Sequence, residues 1–157
     1  MITAGTRMPN LELQSSTGEP VRLLDHLGER GMVAFFMRTT TCPVCNAHVR
    51  DLVGRAGELS ARGISVLIAV PEDRDEAAAW KDRRRVPFPV VTGADGMAHQ
   101  AVGLTKRVFG SMQQSGTVLV DAAGLVRHAH GSTLPTAGYD RRALLTAIDE
   151  LAPVARV

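Results

Sequence analysis

Cys42 and Cys45 are the chain's only cysteines, with Pro43 and Val44 between them. A disulfide across so short a loop adds little stability through chain entropy. A secreted scaffold held by disulfides carries more cysteines at wider spacing. The pair is therefore better explained by thiol–disulfide chemistry. One sulfur attacks as a thiolate, and the other resolves the resulting mixed disulfide or sulfenic acid. A reactive thiolate needs nearby positive charge or free backbone N–H groups. Arg38, just before the motif, and His48, three residues after Cys45, are the local cations. Thr39, Thr40 and Thr41 offer hydroxyls to a thiolate or a cap to the helix that follows, and Thr41 adjoins Cys42. The site candidates are thus Cys42, Cys45, Arg38 and Thr41. Two alternatives stay open: an inert buried pair, and a zinc site built from Cys42, Cys45 and His48 with a fourth ligand from His99, His128 or His130. Covalent haem is excluded, because Asn46 rather than His follows the second cysteine.

Several elements must position this motif. Met32–Met37 is a continuous apolar run of buried-strand type. From Cys42 the pattern turns helical: Val44, Val49, Leu52, Val53 and Leu59 recur near one face, and Gly63 ends the segment. Cys42 therefore falls at a helix start, where the dipole and unpaired N–H groups favour a thiolate. Pro43 fits that start because its missing N–H costs little there. Ile64–Val70 is a second buried strand, stopped by Pro71. A polar helix is expected over Glu72–Arg85, then an extended piece over Pro87–Thr92, a turn over Gly93–Gly96 and a short helix over Met97–Val102. Leu11–Gln14 and Val21–Leu23 form an N-terminal hairpin about the Ser16–Glu19 turn. Gly116–Asp121 and Leu125–His130 form a late hairpin about Ala122–Gly124. Leu144, Leu145, Ile148 and Leu151 give the closing helix, Tyr139–Leu151, its apolar face. Strands alternating with helices imply a parallel portion of sheet, and the late hairpin adds an antiparallel edge.

The chain has 157 residues, 45% of them apolar and 22% charged, with a net charge of +2. One core of normal size follows, and disorder does not. Aromatic residues are 4%, and the basic cluster Lys81-Asp82-Arg83-Arg84-Arg85 reads as the solvated end of a helix, so a nucleic-acid face is not expected. Nothing in the chain is long and apolar enough to span a membrane, and the first residues lack the apolar core of a signal peptide, so a cytoplasmic location is expected. There is no dinucleotide-type glycine motif, so no nicotinamide or flavin cofactor is expected; no other cofactor is expected either, the zinc site being the lesser alternative.

The segment Phe35–Leu52, including Arg38-Thr39-Thr40-Thr41-Cys42-Pro43-Val44-Cys45, resembles the active-site region of peroxiredoxin-like proteins of the alkyl hydroperoxide reductase/thiol-specific antioxidant group, in the thioredoxin-fold superfamily. Pro9–Leu13, Phe88–Gly96 and Thr117–Arg127 extend the resemblance over most of the chain. Departures bear on activity. Peroxiredoxins typically carry Pro-x-x-x-Thr-x-x-Cys. Counting back from Cys45 puts Cys42 at the Thr position and Arg38 at the Pro position. Counting back from Cys42 puts Thr39 at the Thr position and Phe35 at the Pro position. Family peroxidases also place an Arg just before the late strand, where this chain has Gln113-Gln114-Ser115-Gly116. Thioredoxins usually place a cis-Pro there, and Gly116 stands in its stead.

The resemblance implies an α/β thioredoxin-like fold: a central mixed β-sheet flanked by helices on both faces, with an N-terminal β-hairpin extension, as one domain over residues 1–157. It implies a thiol-dependent oxidoreductase that reduces hydroperoxides or disulfides through a Cys42/Cys45 dithiol–disulfide cycle. The reductant would be a thioredoxin-like protein or a low-molecular-weight thiol. No nucleic-acid or membrane partner is implied, and a homodimer is left open. The competing function is a redox-sensing or partner-binding module that uses the same fold as a scaffold.

Overall fold

The computed structural model describes residues 1–93, 97–104, 106–107, 112–132 and 138–151; of residues 106, 107, 112 and 132 only the backbone is described. The expected Gly93–Gly96 turn falls largely outside the described residues.

The strands and helices, in chain order, are β1 (Glu12–Ser15), β2 (Pro20–Arg22), β3 (Gly31–Phe36), α1 (Pro43–Gly54), α2 (Ala56–Ala61), β4 (Ile64–Val70), α3 (Arg74–Arg84), β5 (Val90–Thr92), α4 (Met97–Ala101), β6 (Lys106–Arg107), β7 (Met112–Gln113), β8 (Ser115–Asp121), β9 (Val126–Ser132) and α5 (Arg141–Asp149). Seven strands form the main sheet in the order β2-β1-β5-β4-β3-β8-β9, and β6 pairs with β7 separately. β3, β4 and β5 run parallel, while β8 pairs antiparallel with β3 and β9 antiparallel with β8. The expected mixed sheet and both hairpins are present.

Every residue of β3 is buried. That burial explains its unbroken apolar sequence, since a strand covered on both faces needs no alternation. Its side chains divide between two cores. Val33 and Phe35 join Cys42, Cys45, Val49, Leu52, Trp80, Leu144 and Ile148 on the face covered by α1, α3 and α5. Met32, Ala34 and Phe36 join Ala98, Val102 and Leu104 on the face covered by α4. The Cys42–Cys45 motif therefore stands beyond the carboxyl end of β3, an interior strand of the sheet, where α/β sheets commonly bind ligands.

The helix after the motif differs from its sequence pattern. The apolar stripe suggests one helix to Gly63, but α1 stops at Gly54 and α2 begins at Ala56. Arg55 breaks the run with φ −104° and ψ 5°. Gly54, with its low helix propensity, allows the break, and Leu52 and Leu59 still reach the same core. Gly63 then turns the chain into β4 with φ 74°, a conformation that favours glycine. α3 starts two residues later than expected, because Asp73 caps it by accepting from the Glu76 N–H.

Candidate active site

The turn from β3 into α1 carries the motif. Cys42 is the N-cap of α1, Pro43 begins the helix, and the Cys42 sulfur accepts a hydrogen bond from the Cys45 N–H at 3.4 Å. A sulfur thus does what a serine or threonine hydroxyl usually does at this position. None of the three threonines caps the helix. The Thr39 and Thr41 hydroxyls pair with each other at 3.1 Å, and Thr41 is exposed.

The two sulfurs differ in surroundings. Cys42 is 9% exposed and Cys45 is fully buried, and both are free thiols. Burial pushes the Cys45 thiol up to about 12; the backbone N–H of Arg38 and, less strongly, that of Thr39 oppose this by favouring the thiolate. Its hydrogen bond to Cys42 keeps the proton on Cys45 and raises it further. Arg38 is half-buried and reaches the sulfur through its backbone; among the described residues its guanidinium makes no hydrogen bond or ion pair.

A second layer, not legible as site residues in the sequence, fixes the turn. The Thr40 N–H donates to Glu72 Oε2 at 2.7 Å, and the Thr40 hydroxyl donates to the same oxygen. Asn46 Nδ2 donates to the carbonyls of Thr40 and Cys42, each at 2.9 Å. Asn46 Oδ1 accepts from Trp80 Nε1 at 2.8 Å. The buried Asn46 side chain thereby ties the motif to both α1 and α3. The available signal is a polar residue next to Cys45 and three before Val49, on the buried stripe of a helix. Trp80 packs in the same core and donates this bond.

His48 does not reach the sulfurs. Its ring lies 5.0 Å from Tyr139 and 5.8 Å from Phe35, and its Nδ1 is buried without a partner. Burial lowers its pKa, with Asp51 opposing. Asp51 accepts from the Tyr139 hydroxyl at 2.6 Å and from Arg141 at 3.2 Å. These residues line an open cleft of about 650 Å³ between α1 and α5, and neither cysteine is part of it. His128 and His130 stack on each other at 6.4 Å between ring centroids. His99 sits on the far face of the sheet, where its Nε2 meets the Met37 carbonyl at 2.7 Å. Among the described residues no group of three or more His, Cys, Asp or Glu side chains is placed to hold a metal, so the four-ligand zinc arrangement does not form.

Residues 4–129 match the family model described as the AhpC/TSA family. The chain belongs to the AhpC/TSA family. Among curated relatives it is 32% identical over 101 residues to 1-Cys peroxiredoxin B of Oryza sativa subsp. japonica, covering 60% of this chain and 46% of that one. It is 26% identical over 130 residues to a putative peroxiredoxin of Mycobacterium tuberculosis, covering 80% and 82%. The chain spans about half the length of the first of these. Among solved structures, peroxidoxin BcpB from Mycobacterium tuberculosis superposes with a TM-score of 0.83 at 20% identity, covering 95% of this chain and 97% of that one. Reduced Prx3 from Vibrio vulnificus in complex with hydrogen peroxide superposes at 0.80 with 20% identity, covering 94% and 99%. These likenesses place the AhpC/TSA chain in the thioredoxin fold. Counted back from Cys45, Cys42 stands at the Thr position of the pattern given above, and in the structure it is the N-cap of α1.

Proposed function

We propose that this AhpC/TSA protein is a thiol-dependent peroxidase in which Cys42 attacks the hydroperoxide and Cys45 resolves. The carrying observation is the asymmetry of the pair: Cys42 reaches the surface and accepts from the Cys45 N–H, while Cys45 is sealed in the core and holds its proton. The Cys42 thiolate attacks one peroxide oxygen, an S–O bond forms, the O–O bond breaks, and the departing alkoxide or hydroxide takes a proton. Cys42 is then a sulfenic acid. The Cys45 sulfur attacks it, an S–S bond forms, and the hydroxyl of the sulfenic acid leaves as water with the Cys45 proton. An external dithiol or two thiols return the disulfide to the reduced pair. The reductant, a thioredoxin-like protein or a low-molecular-weight thiol, attacks the disulfide at Cys42, which is 9% exposed while Cys45 is fully buried.

Arg38 and Thr41 belong to this proposal as groups beside the attacking sulfur, Arg38 supplying charge to the peroxide oxygens and Thr41 a hydroxyl donor. A cytoplasmic location is part of it as well. No helix among the described residues is long and apolar enough to cross a membrane. Disulfide reduction is the second reading, favoured by the outer and inner sulfur arrangement that a dithiol donor shares. Trapping with a sulfenic-acid reagent after one equivalent of hydrogen peroxide tests the assignment. The Cys45→Ser protein is expected to accumulate adduct at Cys42, and adduct confined to Cys45 in the Cys42→Ser protein contradicts it.

A further inference from the structure

His99 takes no part in the peroxide chemistry above, yet it is fully buried and makes one well-formed hydrogen bond. It sits on α4, across the sheet from the cysteines, with its ring edge-on to Phe36 at 5.4 Å. Its Nε2 lies 2.7 Å from the Met37 carbonyl oxygen. A carbonyl only accepts, so Nε2 carries the proton and the ring is the donor. Nδ1 is then a bare acceptor, buried without a partner. Burial lowers the imidazole to about 4, so the ring remains a neutral, single-tautomer donor at neutral pH.

The bonded carbonyl belongs to the peptide that joins Met37 to Arg38. A trans peptide directs its C=O and N–H in opposite senses, and no cis bond occurs among the described residues. The N–H of that same unit is the Arg38 N–H that faces the Cys45 sulfur. One peptide thus links an imidazole on one face of the sheet to a thiol on the other. A hydrogen bond to the carbonyl both fixes the peptide plane and polarises its N–H, as in any chain of hydrogen bonds.

We propose that His99 is a positioning residue for Cys45: its Nε2–H holds and polarises the Met37–Arg38 peptide so that the Arg38 N–H meets the Cys45 sulfur as that sulfur ionises. This rests on the reading that Cys45 is the resolving thiol. A resolving sulfur buried in a core must lose its proton to attack the sulfenic acid, and the backbone donors of Arg38 and Thr39 are what favour that loss. His99 acts at that step and touches no substrate.

The resolving step reads Cys45 ionisation without a reagent having to enter the core: after one equivalent of hydrogen peroxide, the rate at which the Cys42 sulfenic acid gives way to the disulfide at fixed pH scales with the Cys45 thiolate fraction. His99→Met fills the site without a donor, and His99→Gln restores a nitrogen donor at similar reach. The expected result is a Met variant slower by about three- to tenfold and a Gln variant within about twofold of the parent. A Met variant within about twofold of the parent, or a Gln variant as slow as Met, overturns the proposal, the latter because packing alone would then explain the loss. If the Met variant does not fold, nitrogen NMR of the unsubstituted protein decides. A neutral ring protonated at Nε2 at pH 7 supports the proposal, and protonation at Nδ1 overturns it. Peroxide consumption that survives Cys42→Ser would sink the functional reading instead, and the His99 tautomer read by nitrogen NMR would still stand.

Discussion

Asn46 shows how a single residue holds the site. Its side chain makes three hydrogen bonds, two to carbonyls of the motif turn and one from Trp80. Asn46→Ala leaves the Trp80 N–H and two carbonyls without those partners. The expected cost is about 2–4 kcal/mol, measured by urea denaturation. Asn46→Asp keeps the acceptor for Trp80 but loses the donors to Thr40 and Cys42, so it should lower peroxide turnover as well as stability. The cysteines were legible from type and spacing, because a pair two residues apart at a helix start is arranged for thiol–disulfide exchange far better than for stapling a fold. Thr40, Glu72 and Asn46 were not. Their importance lies in which backbone groups they meet, and hydroxyls and amides at turns are too common to signal that.

At the scale of elements, α1 is fastened at both ends. Near its start Asn46 ties it to α3. Further along, Asp51 ties it to α5 through Tyr139 and Arg141. Burial alone would raise the Asp51 carboxyl, but the hydrogen bonds from Tyr139 and Arg141, together with the charges of Arg55 and Arg141, hold it below its usual 3.8. A depressed carboxylate contributes stability above its unfolded pKa and loses it as pH falls through the folded value. Asp51→Asn is therefore expected to lower stability at neutral pH and to flatten the acid limb below about pH 4, by thermal denaturation across pH. Tyr139→Phe should do part of the same. The strands and helices themselves were readable, because β3, β4 and β8 are largely apolar and α5 is striped. The break at Arg55 was not, since the apolar stripe continues across it while the backbone does not.

For the molecule as a whole, the sheet separates two cores, and His99 is a titrating group sealed in the far one. Its pKa is held near 4 by burial, against 6.5 for a free imidazole. A buried neutral histidine stabilises the fold above its unfolded pKa, and that contribution is lost as pH falls from about 6.5 toward 4. His99→Gln should shrink this limb by up to about 3 kcal/mol, leaving the share of His48 and His128, whose pKa values burial also lowers, and the lower Asp51 limb, as thermal denaturation across pH would show. The fold class followed from the order of elements and the family from short matches spread along the chain, and the match over residues 4–129 agrees. What the sequence left open was which sulfur acts first, since the family pattern is incomplete whether counted back from Cys45 or from Cys42, while helix-start chemistry favours Cys42. Rapid mixing of the fully reduced protein with one equivalent of hydrogen peroxide addresses that directly. Rapid loss of both thiols is expected in the unsubstituted protein, loss of one with Cys45→Ser, and only the rate of an ordinary free thiol with Cys42→Ser. Peroxide consumption by the Cys42→Ser protein at the unsubstituted rate would contradict the assignment of Cys42 as the attacking sulfur.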